Sequence, residues 1–245
     1  MLTEHKNRFF LHAKYRYKPQ KQFCILISML KIGNKVVYDT IEEFIDPSRS
    51  ALVVWDVQNM LVNRIFNRDE FTNNLNFVVN LARRANVPIF FTRIQILPNR
   101  FESPARLYTL SKLGFDRTSQ TVTKEDLDFA VKPIQLLQQQ QQQQQEEEEE
   151  EEIVIDKHTA SIFVDTGFEH MLRNAGIITV VFTGIATEFG IESSARDASN
   201  RGFYSVVISD CVSSPDRNAH ERSIDNMRKL ITIITSKDIE YSWSK

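Results

Sequence analysis

The stretch ALVVWDV at Ala51–Val57 decides how the rest of the chain is interpreted. Its apolar, valine-rich run ends in a carboxylate, which predicts a buried first strand with polar residues at its end. A helix is predicted next, from apolar residues that recur at helical spacing: Phe71, Leu75, Val78, Ala82 and Ala85. After Pro88, Ile89–Thr92 predicts a second strand, and this order of elements is typical of a parallel α/β sheet.

The same alternation of strands and helices continues to the end of the chain. Further strands are predicted at Ile153–Ile155, Ile177–Phe182, Tyr204–Ser209 and, at the edge, Ile233–Thr235. Further helices are predicted over about 161–175, over Thr187–Arg201, and after Ser214, which would cap a last helix with Pro215 in its first turn. The pattern predicts a three-layer, Rossmann-like open parallel sheet of about six strands flanked by helices.

Two segments are unlike a folded core. Residues 1–35 carry eight lysines and arginines against the single acidic residue Glu4, which predicts a basic N-terminal extension. The glutamine run and the glutamate run that follows it, at 138–152, are low in complexity and cannot pack a core. We therefore expect one domain over 36–245 with a solvated insertion at 138–152, in a connection that tolerates added length.

Composition and charge narrow the class of protein. The chain is 42% hydrophobic and 25% charged, and its net charge is −2, so no broad basic surface for nucleic acid is predicted. The apolar run Phe23–Leu30 is too short to span a bilayer, and two cysteines do not make a disulfide scaffold. The composition favours a cytoplasmic protein that binds neither nucleic acid nor a membrane.

Candidate functional residues lie where the predicted strands end. Ligands of open parallel sheets bind beyond the carboxyl ends of the strands. This rule selects the following residues and turn: Asp56, Gln58, Arg93, Asp156, Lys157, the turn 184–190, Asp210 and Cys211. An aspartate and a lysine on neighbouring strand ends can act as an acid/base pair, and a strand-to-helix turn directs backbone N–H groups at an anion. The alternative from spacing alone is that Asp56 caps a loop and Lys157 forms a surface ion pair.

Four segments carry a resemblance to a known family: ALVVWDVQN, IVIDKHTASIFVDT, VVFTGIATEFGIESSARDA and FYSVVISDCVSS. Their order and spacing resemble isochorismatase-like (cysteine hydrolase) proteins from about Ala51 to the end of the chain, apart from the insertion. The resemblance implies an active site of an aspartate, a lysine and a cysteine, of which Asp56 and Lys157 match the first two. It also implies a cis peptide bond at Ile185–Ala186.

The chain departs from the family at the nucleophile. Family members with amidase chemistry carry a cysteine three residues after the position of Thr187, and this chain has Gly190 there. Cys211 lies on the next strand, where a structural role is expected, and Cys24 lies outside the matched segments. A covalent thioester mechanism is therefore disfavoured.

Three interpretations of the missing cysteine remain open. True isochorismatases resemble this chain in having glycine there, which implies hydrolysis of a vinyl ether with a protonated Asp56 as general acid and with Gly190 leaving room for the substrate ring. Gln58, Arg93, Ile185 and Ala186 would then contact substrate, although Arg93 is equally suited to a structural ion pair. In the second interpretation Asp56 activates water against a C–N or ester bond, and in the third catalysis is lost and the domain binds a ligand or partner.

The resemblance also bears on metals and partners. Nicotinamidase-like members hold a metal with one Asp and two His after the second strand, and residues 94–110 contain neither residue type. We therefore expect no metal and no other cofactor. A small-molecule substrate and a homo-oligomer, dimer or tetramer, are what the resemblance implies.

Overall fold

The protein is represented by a computed structural model, which describes residues 30–95, 97–112, 123–133 and 152–244. The chain divides between Glu43 and Phe44 into two units. The described part of the first unit holds an antiparallel pair of strands, β1 (Leu30–Ile32) and β2 (Lys35–Val37), joined at Gly33 with φ of 64°. Residues 1–29 of the predicted extension and 138–151 of the predicted insertion lie outside the described residues, so both assignments stay predictions.

The second unit is built on a sheet of six strands that pair in parallel throughout. The strands are β3 (Ser50–Trp55), β4 (Ile89–Ile94), β5 (Glu152–Lys157), β6 (Thr179–Ile185), β7 (Tyr204–Ser213) and β8 (Thr232–Ile234). Their order is β5-β4-β3-β6-β7-β8. The chain starts at β3 in the middle, adds β4 and β5 on one side, and then adds β6 on the other side of β3, which is a reversal of the strand order. The predicted six-stranded parallel sheet is confirmed, and the reversal marks where its ligands are expected.

Helices cover both faces of this sheet. The short helix α1 (Ile41–Phe44) begins in the first unit, and the described helices of the second unit are α2 (Asn59–Val62), α3 (Arg68–Arg84), α4 (Pro104–Lys112), α5 (Lys124–Leu127), α6 (Phe168–Asn174), α7 (Glu192–Asn200), α8 (Arg217–Met227) and α9 (Ser236–Trp243). The predicted helix at 71–85 corresponds to α3, which starts three residues earlier and has Ala85 as its C-cap; its first turn is acidic and its last turn basic, as the helix dipole favours. In the part of the chain that the structure describes, no helix is both long and apolar enough to cross a bilayer.

Alternation along the strands divides the core between the two faces. Ala51, Val53 and Trp55 pack in one cluster with residues of α6, α7 and α8. Leu52 and Val54, which are also fully buried, point to the opposite face, because neighbouring residues of a strand alternate. Trp55 therefore faces the helices that follow β5, β6 and β7.

Three predicted boundaries are corrected by the structure. The helix expected over about 161–175 is only Phe168–Asn174, since hydroxyls of Ser161 and Thr166 bond to nearby backbone and compete with the helix. The strand expected to end at Ser209 continues to Ser213 through a register shift against β6. The helix expected after Ser214 is α8, which is capped by Asp216, whose side chain accepts from Ala219 N at 3.1 Å, and not by Ser214; it is followed by α9.

The third strand also starts earlier than predicted. Glu152, the last residue of the glutamate run, is the first residue of β5 and is buried. Its Oε1 lies 2.7 Å from Nε of Arg83 at the end of α3. The strand therefore takes in one residue that composition assigns to the insertion.

Candidate active site

Asp56 follows β3, between whose neighbours β4 and β6 the strand order reverses. It follows β3 directly, with a positive φ of 45°, and only 3% of its surface is exposed. Aspartate is one of the few residues other than glycine that adopt this left-handed conformation without a large cost. The bend turns the carboxylate toward the ends of the two strands on one side, β4 and β5.

Each carboxylate oxygen of Asp56 has a partner from one of those strands. Thr92 of β4 donates its hydroxyl to Oδ1 at 2.6 Å, and Lys157 at the end of β5 donates from Nζ to Oδ2 at 2.6 Å. The side chains of Lys157 and Asp56 are 4% and 5% exposed, so this ion pair is shielded from water. The structure brings the two predicted catalytic residues into direct contact.

The surroundings of Lys157 weaken its hold on its proton. Burial lowers the pKa of Lys157 below its ordinary value, the charge of Asp56 and its hydrogen bond oppose that shift, and the charge of Arg106 on α4 adds to it. A buried lysine with a lowered pKa, 2.6 Å from a carboxylate, can pass a proton to that carboxylate and take it back. The arrangement therefore supplies a proton-transfer pair.

The turn after β6 forms the other side of the site. The peptide bond Ile185–Ala186 is cis, which confirms the prediction for this bond. A π-helical turn follows at Thr187–Ile191, in which Phe189 N and Ile191 N both donate to Ala186 O, at 3.2 and 3.3 Å. Gly190 is buried inside this turn.

Gly190 does not leave an open space. The indole of Trp55 lies so close that a Cβ at position 190 would be 1.8 Å from Nε1 and 2.1 Å from Cε2. The same indole carries the ammonium of Lys157 over its face, 3.9 Å from the ring centroid. The expectation of a vacant nucleophile position with room for a substrate ring is therefore corrected, because the protein's own tryptophan fills it.

A second glycine of the turn also makes room for Trp55. Gly184 pairs with Trp55 in the register of β3 and β6, and its φ is 119°. A Cβ at position 184 would lie 2.1 Å from the carbonyl oxygen of Trp55. Glycine is thus required at 184 by the backbone of Trp55 and at 190 by its side chain.

The comparisons with known proteins agree with this architecture. The sequence model of the isochorismatase domain matches residues 50–238. The chain belongs to the isochorismatase family of hydrolases. A solved structure of an isochorismatase family protein from Burkholderia thailandensis is similar with a TM-score of 0.61 at 23% identity, over 81% of this chain and 97% of that one. That likeness supports the fold.

Two relatives match this chain over very different lengths. Nicotinamidase 3 of Arabidopsis thaliana is 25% identical over 190 residues, which are 78% of this chain and 86% of that protein. The isochorismatase family protein YecD of Escherichia coli O157:H7 is 37% identical over 84 residues, 34% of this chain. The second match spans only 45% of YecD.

Two residues that were predicted to contact substrate already have protein partners. Gln58 is fully buried, where its Nε2 donates to Leu127 O at 2.8 Å and its Oε1 accepts from Ile94 N at 3.1 Å. Arg93 forms a two-point ion pair with Asp156 of the neighbouring strand, at 2.6 and 3.0 Å. Arg93 points away from Thr92 and hence from Asp56, as the alternation of β4 requires.

Cys211 has no catalytic surroundings in this fold. It is completely buried within β7, and burial, with a smaller contribution from Asp210, raises the pKa of its thiol. A raised pKa keeps the thiol protonated and unreactive, since the thiolate is the nucleophile. The expected structural role of Cys211 agrees with this environment.

Metal ligands were not expected from the sequence. Among the residues that the structure describes, no group of three His, Cys, Asp or Glu side chains is placed to hold a metal ion. The absence of a metal and of other cofactors stays a prediction for the whole chain.

Two residues of the site were missed by the sequence analysis. Thr92 was assigned to a strand and Trp55 to a buried core, and neither was linked to Asp56. Both stand next to a predicted site element: Trp55 precedes Asp56, and Thr92 precedes Arg93. A hydroxyl at the end of a buried apolar strand was the available signal for Thr92.

Proposed function

We propose that this hydrolase acts without a covalent enzyme intermediate and that its substrate is a vinyl ether of the isochorismate type. One observation carries the proposal. The buried contact of 2.6 Å between Lys157 Nζ and Asp56 Oδ2 lies beside Trp55, whose indole covers the glycine at the family's nucleophile position. Among the described residues the site has a proton-transfer pair and no thiol, which supports a reaction by proton transfer and attack of water.

Asp56 is the general acid of the proposed reaction. In the buried site the ion pair and the neutral pair differ by one proton moved from Lys157 to Asp56, a step that the lowered pKa of Lys157 favours. Asp56 then protonates the terminal carbon of the enol ether. Water adds to the resulting oxocarbenium carbon, and the hemiketal breaks down to pyruvate and the free alcohol. The proton released from water returns to the pair.

The substrate carboxylates are assigned to the positive side of the site. The backbone at Ile185, Ala186 and the following turn lies at the beginning of a helix, where the helix dipole and backbone N–H groups attract a carboxylate. Gln58 and Arg93 are less suited to this role, because each already holds a protein partner. A small-molecule substrate held in this way requires neither nucleic acid nor a membrane.

Hydrolysis of a C–N bond is the second candidate. It is favoured by the likeness to Nicotinamidase 3 and by the ion pair itself, in which the Asp56 carboxylate lies 2.6 Å from the Lys157 ammonium. A carboxylate held in this form can take a proton from water, which then attacks the carbonyl carbon. Lys157 would stabilise the oxyanion that develops.

The test measures two products with the same purified proteins. Pyruvate release from isochorismate and ammonia release from nicotinamide are followed for wild type, for Asp56→Asn and for Asp69→Asn, which removes an exposed charge on α3. We expect pyruvate release that falls by about 10²-fold or more in Asp56→Asn and is unchanged in Asp69→Asn. Ammonia release with the same dependence on Asp56 would support the second candidate. Release of neither product by folded wild-type protein would overturn both.

A further inference from the structure

Trp55 contacts both Lys157 and the turn that contains Gly190. It is the last residue of β3 and is 2% exposed, so its indole is enclosed by protein. On the face of the sheet that is covered by α6, α7 and α8, it packs in one cluster with Ile191 at the end of the π-helical turn and Ala195 on α7. The ring thus spans the distance between the strand that carries Asp56 and the turn that carries Gly190.

The contact at Gly190 is steric and leaves no alternative side chain. A Cβ there would lie 1.8, 2.1 and 2.6 Å from three atoms of the indole, Nε1, Cε2 and Cζ2. Real Cβ atoms do not approach other heavy atoms within 3.0 Å, and a fused ring cannot bend out of the way. Because the ring is buried, relief requires moving the whole side chain of Trp55. Glycine at 190 is therefore a requirement of the tryptophan, whatever the substrate is.

The face of the ring is in contact with Lys157 as well. Lys157 Nζ lies 3.9 Å from the ring centroid, a cation–π geometry, while it donates to Asp56. A shift of the indole away from position 190 would disturb this contact with Lys157. The ring is thus held between the turn and the ammonium.

We propose that Trp55 is a specificity-determining residue: its indole occupies the volume that a nucleophile side chain at position 190 needs. A cysteine side chain at position 190 does not fit beside the indole, so no thiol can act from that position. Substrates then have to reach Asp56 and Lys157 without entering the space beside Gly190 that the indole fills. The statement about substrates rests on the proposed function, whereas the steric coupling of Trp55 and Gly190 does not.

The first test is a double-mutant cycle on stability. Gly190→Ala, Trp55→Ala and the double variant are compared with wild type by urea unfolding. We expect Gly190→Ala to lower the unfolding midpoint in the wild-type background and to have little further effect in the Trp55→Ala background. An equal loss in both backgrounds would overturn the proposal, since additive effects mean that the two positions do not interact.

The second test introduces a thiol and measures its reactivity. Gly190→Cys alone and Gly190→Cys with Trp55→Ala are treated with iodoacetamide across pH, and modification at position 190 is quantified by peptide mass spectrometry. We expect a large loss of folded protein for the single variant. We expect recovery in the double variant, with a labelling midpoint about one pH unit or more below that of an ordinary thiol, because Lys157 and the start of the helix stabilise a thiolate.

Each outcome of the second test decides the proposal. A single variant that folds as well as wild type and is labelled as fast as the double variant would mean that the indole does not occupy the site. A double variant that fails to recover, while Trp55→Ala alone is folded, would contradict the steric coupling. Neither test uses substrate, so their results stand apart from failure to detect pyruvate or ammonia.

Discussion

Thr92 and Asp56 form a closed ring of hydrogen bonds. The hydroxyl of Thr92 accepts from the backbone N–H of Asp56 at 2.9 Å and donates to its Oδ1 at 2.6 Å. One side chain on β4 therefore fixes both the backbone of Asp56, whose φ is 45°, and the direction of its carboxylate. The catalytic geometry proposed for Asp56 depends on this hydroxyl as much as on the ion pair with Lys157.

Replacing Thr92 with valine tests that dependence. Valine keeps the shape of threonine, but it leaves the N–H of Asp56 without this acceptor and Oδ1 without this donor in a buried site. We expect Thr92→Val to lower the free energy of unfolding by about 1–3 kcal/mol, the usual cost of leaving buried polar groups unpaired. Thr92→Ser retains the hydroxyl and should restore most of the loss. Equal stability of the valine and serine variants in urea would contradict this account.

The ion pair of Asp56 and Lys157 should be strongly non-additive. Lys157→Met leaves a buried carboxylate without its cation, which we expect to cost about 3–5 kcal/mol. Adding Asp56→Asn removes the unpaired charge, and the double variant should therefore be more stable than Lys157→Met alone. Urea unfolding of the two single variants and the double variant measures this coupling. A double variant with the summed losses of the single variants would argue against a direct pair.

The sequence was sufficient for the six strands and for placing Asp56 and Lys157 at the same edge of the sheet. Valine-rich runs such as ALVVW are apolar on both faces, which is what a central parallel strand requires, and Asp56 and Lys157 follow from where such runs end. The start of β5 is an exception. There Arg83 at the end of α3 forms an ion pair with Glu152, and the composition of the glutamate run does not indicate this partner.

The side-chain contacts within the site could not be predicted from the sequence in the same way. Whether Gly190 is an open space depends on the direction and size of a side chain on another strand, which neither periodicity nor spacing reports. Trp55 fitted a buried strand equally well whether it packed under a helix or against the turn. The same limit applies to Gln58 and Arg93, whose partners are a loop backbone and a neighbouring strand.

Gly184 offers a test of how closely β6 approaches Trp55. At 184 a Cβ would meet the carbonyl oxygen of Trp55 at 2.1 Å, whereas at Gly202 it would meet no atom within 4 Å. Both glycines have positive φ, of 119° and 84°. We expect Gly202→Ala to cost about 1–2 kcal/mol from its conformation alone, and Gly184→Ala to cost clearly more or to prevent folding. Thermal unfolding compares the two, and equal losses would count against a backbone clash at Gly184.

Cys211 should make stability depend on pH in the alkaline range. Burial raises the pKa of its thiol above the ordinary value of 9.0. Above pH 9.0 the thiol ionises in the unfolded chain but stays protonated in the folded protein, so the unfolded state is stabilised relative to the folded state as pH rises. Cys211 thus contributes a stability that is present below pH 9.0 and is lost above it.

The measurement compares wild type with Cys211→Ala by urea unfolding between pH 8 and 10.5. Lysines and tyrosines titrate in both proteins, so the difference between the two curves isolates the thiol. We expect the stability advantage of wild type to be constant up to about pH 8.5 and then to fall by about 1.4 kcal/mol per pH unit once the unfolded thiol is fully ionised. A difference that stays constant to pH 10.5 would show that the thiol ionises equally in both states, and Cys211 would then be accessible to water in the folded protein.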